Sequence, residues 1–316
     1  MILVTGATGF VGRHVVAALA SEGRRVRALV RDAAATAMLD AVDCELAHGD
    51  VTDPASLREA TEGVDAVVHL VAIIAGRPAD FERVMVQGTA AVIAAAQEAG
   101  ARRLVYMSAL GTSEETKGTV PYYRAKWECE QAVAAAGIPH AILRPSFVFG
   151  ADGGALPRFL RIARLAPVTP VVGPGRQRLQ PIWVDDVARA VVLASDRSDD
   201  LLVELGGPEV VDWNGLWRAI KEALGTRRPT VHIPALLMRA PALVLERLPD
   251  PPLTRDQLTM LGLGDNVVCD GGAGMAELGL HDLVPLDEQL RRAAAARQPT
   301  AEHAGDSAEH PGGGPS

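Results

Sequence analysis

Short, largely apolar runs recur along the first half of the chain: Ile2–Val4, Val26–Val30, Cys44–Ala47, Ala66–Leu70, Leu104–Met107 and Ala141–Leu143. Strands without a polar alternation are covered on both faces, as in a parallel sheet sandwiched by helices. Between them lie helix-type stretches at Val11–Ala20, Phe81–Ala99 and Ala125–Ala136, with Gly23, Gly100 and Gly137 at their ends. Glycine fits there because a helix usually closes through a left-handed residue. Regular alternation of the two patterns predicts an α/β, doubly wound parallel sheet. After residue 150 the pattern loosens under Gly153, Gly154, Pro157, Pro167, Pro170, Pro174 and Pro181. Asp185–Ser195 reads as one more core helix, with two acids at its positive end. Trp213–Leu224 and Pro234–Leu248 read as helices of a smaller C-terminal part, and residues 298–316 as a disordered polar tail.

The chain has 316 residues, is 48% hydrophobic and carries a formal charge of −8, which excludes a disordered chain and argues against a nucleic-acid binder. Its three cysteines, Cys44, Cys129 and Cys269, form no CxxC pair, and its eight histidines are scattered, so no metal site is expected. No run of apolar residues is long enough to span a bilayer. The start, Met1-Ile2-Leu3-Val4, has no basic region before an apolar stretch. A cytoplasmic location, at most peripheral to the inner face of a membrane, is therefore expected.

Thr5-Gly6-Ala7-Thr8-Gly9-Phe10-Val11-Gly12-Arg13 follows the first strand and opens the first helix. Gly6 suits a tight turn, Gly9 a close approach of backbone to pyrophosphate, and Gly12 close packing of helix on sheet. The amides of Thr8, Phe10 and Val11 then face the phosphates at a positive helix end. The expected fold is thus a Rossmann-type sheet with a smaller C-terminal substrate or cap region. Residues 1–200 would bind the dinucleotide, and residues 201–297 with loops from 150–180 would form the cap. Val30 stands where an NAD enzyme usually has an acid for the ribose, and Arg31 follows it. Arg31 and Arg13 suit a ribose 2′-phosphate, so NADP(H) is expected over NAD(H). The alternative is two solvated arginines with Asp32 on the ribose. Asp50, beside Val51, either bonds the adenine amino group or caps a turn.

Tyr122 and Lys126 lie four apart at the start of a helix and share a face. A phenol is a poor acid-base group near neutrality until a neighbouring ammonium lowers its pKa. Ser108 ends the fifth strand, where such a sheet presents its chemistry. Tyr123 is an adjacent rival without the spacing to Lys126. His69 is expected to be a hydrogen-bonding residue at a strand end, not a base.

The glycine loop, Ser108, Tyr122-x-x-x-Lys126 and Leu143-Arg144-Pro145-Ser146 together resemble the short-chain dehydrogenase/reductase superfamily in its extended or atypical branch. The resemblance implies Tyr122 as acid-base group, Lys126 on the nicotinamide ribose and Ser108 on the substrate. It also places Leu70, Val71 and Ala72 along the cofactor, and Pro145, Ser146 and Phe147 by the nicotinamide. Pro121–Lys126, Leu143–Gly150, Gln180–Ala188, Leu253–Leu258, Asp265–Val268 and Glu277–Gly279 are similar to members related to the NAD(P)H-binding accessory subunit of respiratory complex I. Bacterial relatives of that group are placed in the NAD-dependent epimerase/dehydratase family. Met85 stands where extended members usually have an asparagine. Three functions follow from the resemblance. One is an NADP(H)-dependent oxidoreductase acting on an unknown carbonyl or alcohol. Another is an NADPH-binding structural or assembly protein of a respiratory or quinone-linked membrane complex. The last is a nucleotide-sugar epimerase or dehydratase, with Arg158, Arg161, Arg164, Arg176 and Arg178 as a clamp for its pyrophosphate.

Overall fold

The computed structural model describes residues 1–238, 246 and 254–296, without the side chains of 33–35. Six parallel strands appear in the order expected: β1 (Ile2–Thr5), β2 (Val26–Val30), β3 (Glu45–His48), β4 (Ala66–His69), β5 (Arg103–Met107) and β6 (His140–Pro145). The chain then leaves the sheet through the short strands β7 (Val148–Phe149), β8 (Thr169–Val172), β9 (Arg178–Leu179) and β10 (Ile182–Trp183). It returns as β11 (Leu201–Leu205), parallel to β6. The seven-stranded order is β11-β6-β5-β4-β1-β2-β3. The winding reverses between β1 and β4, and a doubly wound sheet opens its binding crevice beyond the strand ends at such a switch. The sheet thus extends past the expected boundary at residue 200, because β11 is needed to cover the edge of β6. Two further strands, β12 (Val211–Asp212) and β13 (Thr230–Ile233), pair with β9 and β8 outside the main sheet.

Helices cover both faces. α1 (Phe10–Ser21) lies on one face with a helix over Val184–Ser195, and Val15, Val16, Leu19, Val187, Ala190 and Val191 seal it. α2 (Pro54–Thr61) covers the other face with α3 (Pro78–Phe81), α4 (Gly88–Glu98) and α5 (Pro121–Ala134). α2 went unread in the sequence, although Asp53 caps it by accepting from the Ala55 amide at 3.0 Å and Pro54 opens it. The long helix expected over Phe81–Ala99 is interrupted by a π turn at Glu82–Gln87. A third cluster, around Phe149, Leu156, Leu160, Trp183, Leu216, Trp217 and Leu290, builds the smaller lobe. The helix expected at Pro234–Leu248 begins at 235–238, and residues 239–245 and 247–248 of it lie outside the described residues, as does the tail at 298–316.

One ion pair is buried between α5 and β6. Glu130 is 1% exposed and takes Arg144 in a fork, with Nε donating to Oε1 at 2.8 Å and Nη2 to Oε2 at 2.6 Å. Breaking one half of such a pair strands the other charge. Glu130→Gln is expected to lower the unfolding free energy in urea by about 3 kcal/mol. The doubly apolar Glu130→Leu/Arg144→Met variant should recover most of that loss; equal instability of both variants would refute this account.

Candidate active site

The glycine loop sits at the switch point. Gly6 has φ +75°, and a β-carbon there would lie 3.1 Å from the Leu70 carbonyl carbon and the Val71 nitrogen. A β-carbon on Gly12 would lie 2.0 Å from the Gly6 carbonyl oxygen. Only glycine lets α1 start that close to the loop. Gly9 is exposed at the N-cap and offers no side-chain cap, so the first amides of α1 are left for another acceptor. The loop fits a pyrophosphate. Leu70 is tied back by its amide to the Thr5 carbonyl at 3.1 Å, which carries Val71 and Ala72 along the rim beside it.

The expected ribose ligands are distributed unevenly. Arg31 is 76% exposed and makes only a loose pair with Asp50 at 3.7 Å. Asp50 accepts from the Thr52 amide and hydroxyl, both at 2.8 Å, and these bonds with Arg31 hold its carboxyl below the usual range despite partial burial. Val51 is buried under Gly88 and contributes packing. Arg13 is already engaged: its Nε donates to Asp152 Oδ2 and its Nη2 to the Asp152 carbonyl, each at 2.9 Å. His14 adds a bond to Asp185 at 2.7 Å, and the two aspartates raise its pKa. This cluster straps the loop after β7 to the first helix. The ring of Phe10 fills the space between, where β-carbons on Gly150 and Gly153 would come within 2.6 and 2.2 Å of it.

The catalytic candidates meet at the end of β5. Lys126 is 1% exposed, and its Nζ donates to the Met107 carbonyl at 2.6 Å, one residue before Ser108. The Ser108 hydroxyl is buried without a hydrogen-bond partner. Burying a hydroxyl unpaired is costly, and the Tyr106 hydroxyl on the same strand is unpaired as well; of the two, Ser108 stands at the strand end beside the crevice. Tyr122 lies with its ring centroid 5.9 Å from Lys126 Nζ. The rival Tyr123 is buried and donates its hydroxyl to the Leu110 carbonyl at 3.3 Å, so it is structural.

The electrostatics differ from the sequence expectation. Burial lowers Lys126 to about 8. Tyr122 moves up from its ordinary value instead of down, because burial, with Tyr123 adding to it, penalises the phenolate. The ring retains some surface, but the packing around the phenol leaves its anion poorly solvated. Near neutrality this tyrosine holds its proton.

Behind these groups runs a directional chain. Thr5 Oγ1 and His69 Nδ1 are 2.6 Å apart, and His69 Nε2 lies 3.0 Å from Thr89 Oγ1. Thr89 donates to Cys129 Sγ at 3.3 Å, and Cys129 donates to the Met85 carbonyl at 3.4 Å. Since Thr89 spends its proton on sulfur, His69 donates from Nε2 and accepts from Thr5. That makes His69 the strand-end hydrogen-bonding residue expected. The chain ends on a carbonyl of the π turn, a geometry no sequence pattern announced.

The residues expected by the nicotinamide follow β6. Pro145 receives the Leu110 amide at 2.9 Å, and Ser146 donates to Asn266 Oδ1 at 2.5 Å and to the Asn266 carbonyl at 3.1 Å. Phe147 packs edge-on against Trp213, with centroids 5.7 Å apart. Asn266 and Trp213 were not read as site residues, because only folding brings residues so distant in sequence to Ser146 and Phe147. Among the described residues no cluster of metal-ligating side chains occurs and no helix is long and apolar enough to cross a membrane.

A parallel sheet that reverses its winding between β1 and β4, with a glycine turn at that point, is the architecture of a dinucleotide-binding fold. Residues 2–204 match the model of the NAD dependent epimerase/dehydratase family, and the chain belongs to it. The chain is 32% identical over 238 residues to the ceramide reductase of Caulobacter vibrioides, covering 74% of each chain. It is 28% identical to the 4-hydroxy-2-methyl-3-oxo-4-farnesyl-3,4-dihydroquinoline-1-oxide ketoreductase of Stigmatella aurantiaca, covering 95% of this chain and 98% of that one. The crystal structure of gox2253 superposes with a TM-score of 0.76 at 27% identity, covering 93% and 97% of the two chains. The narrower likeness to the complex I accessory subunit is not among these findings.

His69 yields a test of the buried chain. Burial, with the Lys126 charge adding to it, lowers its pKa from 6.5 to about 3. Between those values the unfolded chain binds the extra proton, so the stability due to a neutral His69 is lost as pH falls through that window. The difference in urea unfolding free energy between wild type and His69→Gln is expected to narrow steadily as pH is lowered from 6.5 to 4. A difference independent of pH would show that His69 is not held neutral.

Proposed function

We propose that this protein is an NADP(H)-dependent reductase of an apolar ketone. The observation that carries the reading is the unpartnered buried hydroxyl of Ser108, next to the residue whose carbonyl anchors Lys126. A substrate carbonyl oxygen is the acceptor such a hydroxyl lacks. The nicotinamide supplies the hydride when bound. Tyr122, protonated near neutrality, gives its proton to the substrate oxygen as charge develops there. Lys126 keeps two N–H donors beyond its bond to Met107, one for the nicotinamide ribose and one toward the phenol. Ser108 holds the oxygen within reach of Tyr122. Gly6, Thr8, Gly9, Phe10, Val11 and Gly12 would hold the pyrophosphate, and Pro145 to Phe147 would flank the nicotinamide.

The NADP(H) preference rests on Arg31, which is exposed and only loosely paired, and on Val30 where an acid would otherwise serve the ribose. Arg13, bonded to Asp152, is left out of the phosphate contact. The substrate class draws support from the two curated relatives, whose names join a carbonyl or its reduction to a long apolar chain. Phe147 and Trp213 beside the site offer surface for such a group. A nucleotide-sugar reading finds less support, since Arg178 is engaged by Asp265 at 2.7 Å and Arg164 donates to the Ala294 carbonyl at 2.8 Å.

Two measurements test the reading. Tyr122→Phe should lower kcat for NADPH-dependent ketone reduction by about 100-fold or more, with NADPH affinity nearly unchanged. Undiminished turnover would remove Tyr122 from the chemistry, and no turnover of any apolar ketone by the wild type would leave a nucleotide-binding role alone. Arg31→Ala should raise the Kd for NADPH about 10-fold and leave that for NADH in place. Equal effects on both nucleotides would sink the NADP(H) assignment.

A further inference from the structure

The chain contains three lysines, Lys117, Lys126 and Lys221, against 28 arginines, and Lys126 is the buried one. An ammonium out of water needs a counter-charge or a substitute. Among the described residues no carboxylate lies within ion-pair distance of it. Glu130, one turn on, favours the ammonium from a distance, but its oxygens are occupied by the Arg144 fork. His69 on β4 is neutral, and the thiol of Cys129 is engaged with the Met85 carbonyl. Tyr122, on the same helix, is protonated, and its ring centroid is 5.9 Å away. Besides the Met107 carbonyl, the ring of Tyr106 faces the ammonium, with its centroid 4.9 Å from Nζ. Tyr106 is 1% exposed in the middle of the sheet and stacks on His69, with centroids 5.7 Å apart and planes at 28°.

We propose that Tyr106 is a positioning residue for Lys126: the face of its ring, in place of a carboxylate, seats the ammonium under the candidate active site. The negative face of an aromatic ring attracts a desolvated cation without neutralising it. The lysine therefore keeps its charge and its unspent donors directed toward ribose and phenol. A carboxylate in the same place would take those donors. The neutrality of His69 belongs to the same arrangement, because a second cation stacked on this ring would compete for it. The role in catalysis rests on the reductase reading, but the seat itself does not.

The test substitutes the ring's electrons without changing its shape. Protein labelled with carbon-13 at lysine Cε gives three resonances, and Lys126→Met assigns the one from the site. Phenylalanine, 4-fluorophenylalanine and 3,4,5-trifluorophenylalanine are then installed at position 106, with circular dichroism to check folding. Each fluorine withdraws charge from the face, so the midpoint of the Lys126 titration should fall stepwise, by about one pH unit across the series. The plain Tyr106→Phe variant should titrate close to wild type, since it keeps the face. NADPH affinity measured above the midpoint should weaken in the same order. Midpoints that do not move across the folded series would overturn the proposal whatever the turnover. A stepwise fall in a protein that reduces no ketone would support the seat and refute only the reductase reading.

Discussion

The closeness of α1 to the loop that precedes it governs this molecule. A β-carbon at position 12 would sit 2.0 Å from the Gly6 carbonyl oxygen, inside any permitted contact. The constraint fixes where the first helix begins and aims its free amides over the switch point between β1 and β4. Gly6 also brings the backbone at Leu70 and Val71 to the same place. The nucleotide cradle is therefore formed by backbone, and side chains beyond it are free to specialise. A side chain at position 6 or 12 would displace the helix and open the crevice without touching a catalytic group.

The interior near the strand ends holds a cluster of buried polar groups. Lys126, Glu130, His69, Thr5, Thr89 and Ser108 are all nearly inaccessible. Each cost of burial is met differently. Glu130 has a forked guanidinium, His69 gives up its proton and joins a chain of donors, and Lys126 rests on a carbonyl and a ring. Ser108 alone of these has its hydroxyl unanswered. Burial also keeps Tyr122 protonated, where sequence spacing alone suggested an easily formed phenolate.

The sequence made the parallel sheet legible because its strands are apolar on both faces and its glycines mark the helix ends. Helical spacing is a local property, so the pairing of Tyr122 with Lys126 on one face was legible as well. What it concealed was non-local. Arg13 reads as a phosphate ligand until Asp152, 139 positions away, takes its guanidinium. Asn266 and Trp213 carry no local sign of a site, and reach it only once the second lobe packs. The seventh strand, β11, lies beyond a boundary drawn from changing composition, because its alternating exposure resembles an edge and not a buried core strand. The π turn around Met85 has helical composition throughout, so periodicity reads straight through it.

The aromatic ring at the start of the first helix adds a mechanical aspect. Phe10 occupies a socket whose walls at Gly150 and Gly153 cannot accept even a methyl group. Arg13 and His14, one turn further, hold Asp152 in the same wall. The cradle and the entrance to the smaller lobe are thus keyed together like a tongue in a slot. The smaller lobe can be reshaped for new substrates in its helices and outer strands while this joint stays fixed. A substitution that thickens the slot would be felt first in how the nucleotide sits, far from any residue that touches substrate.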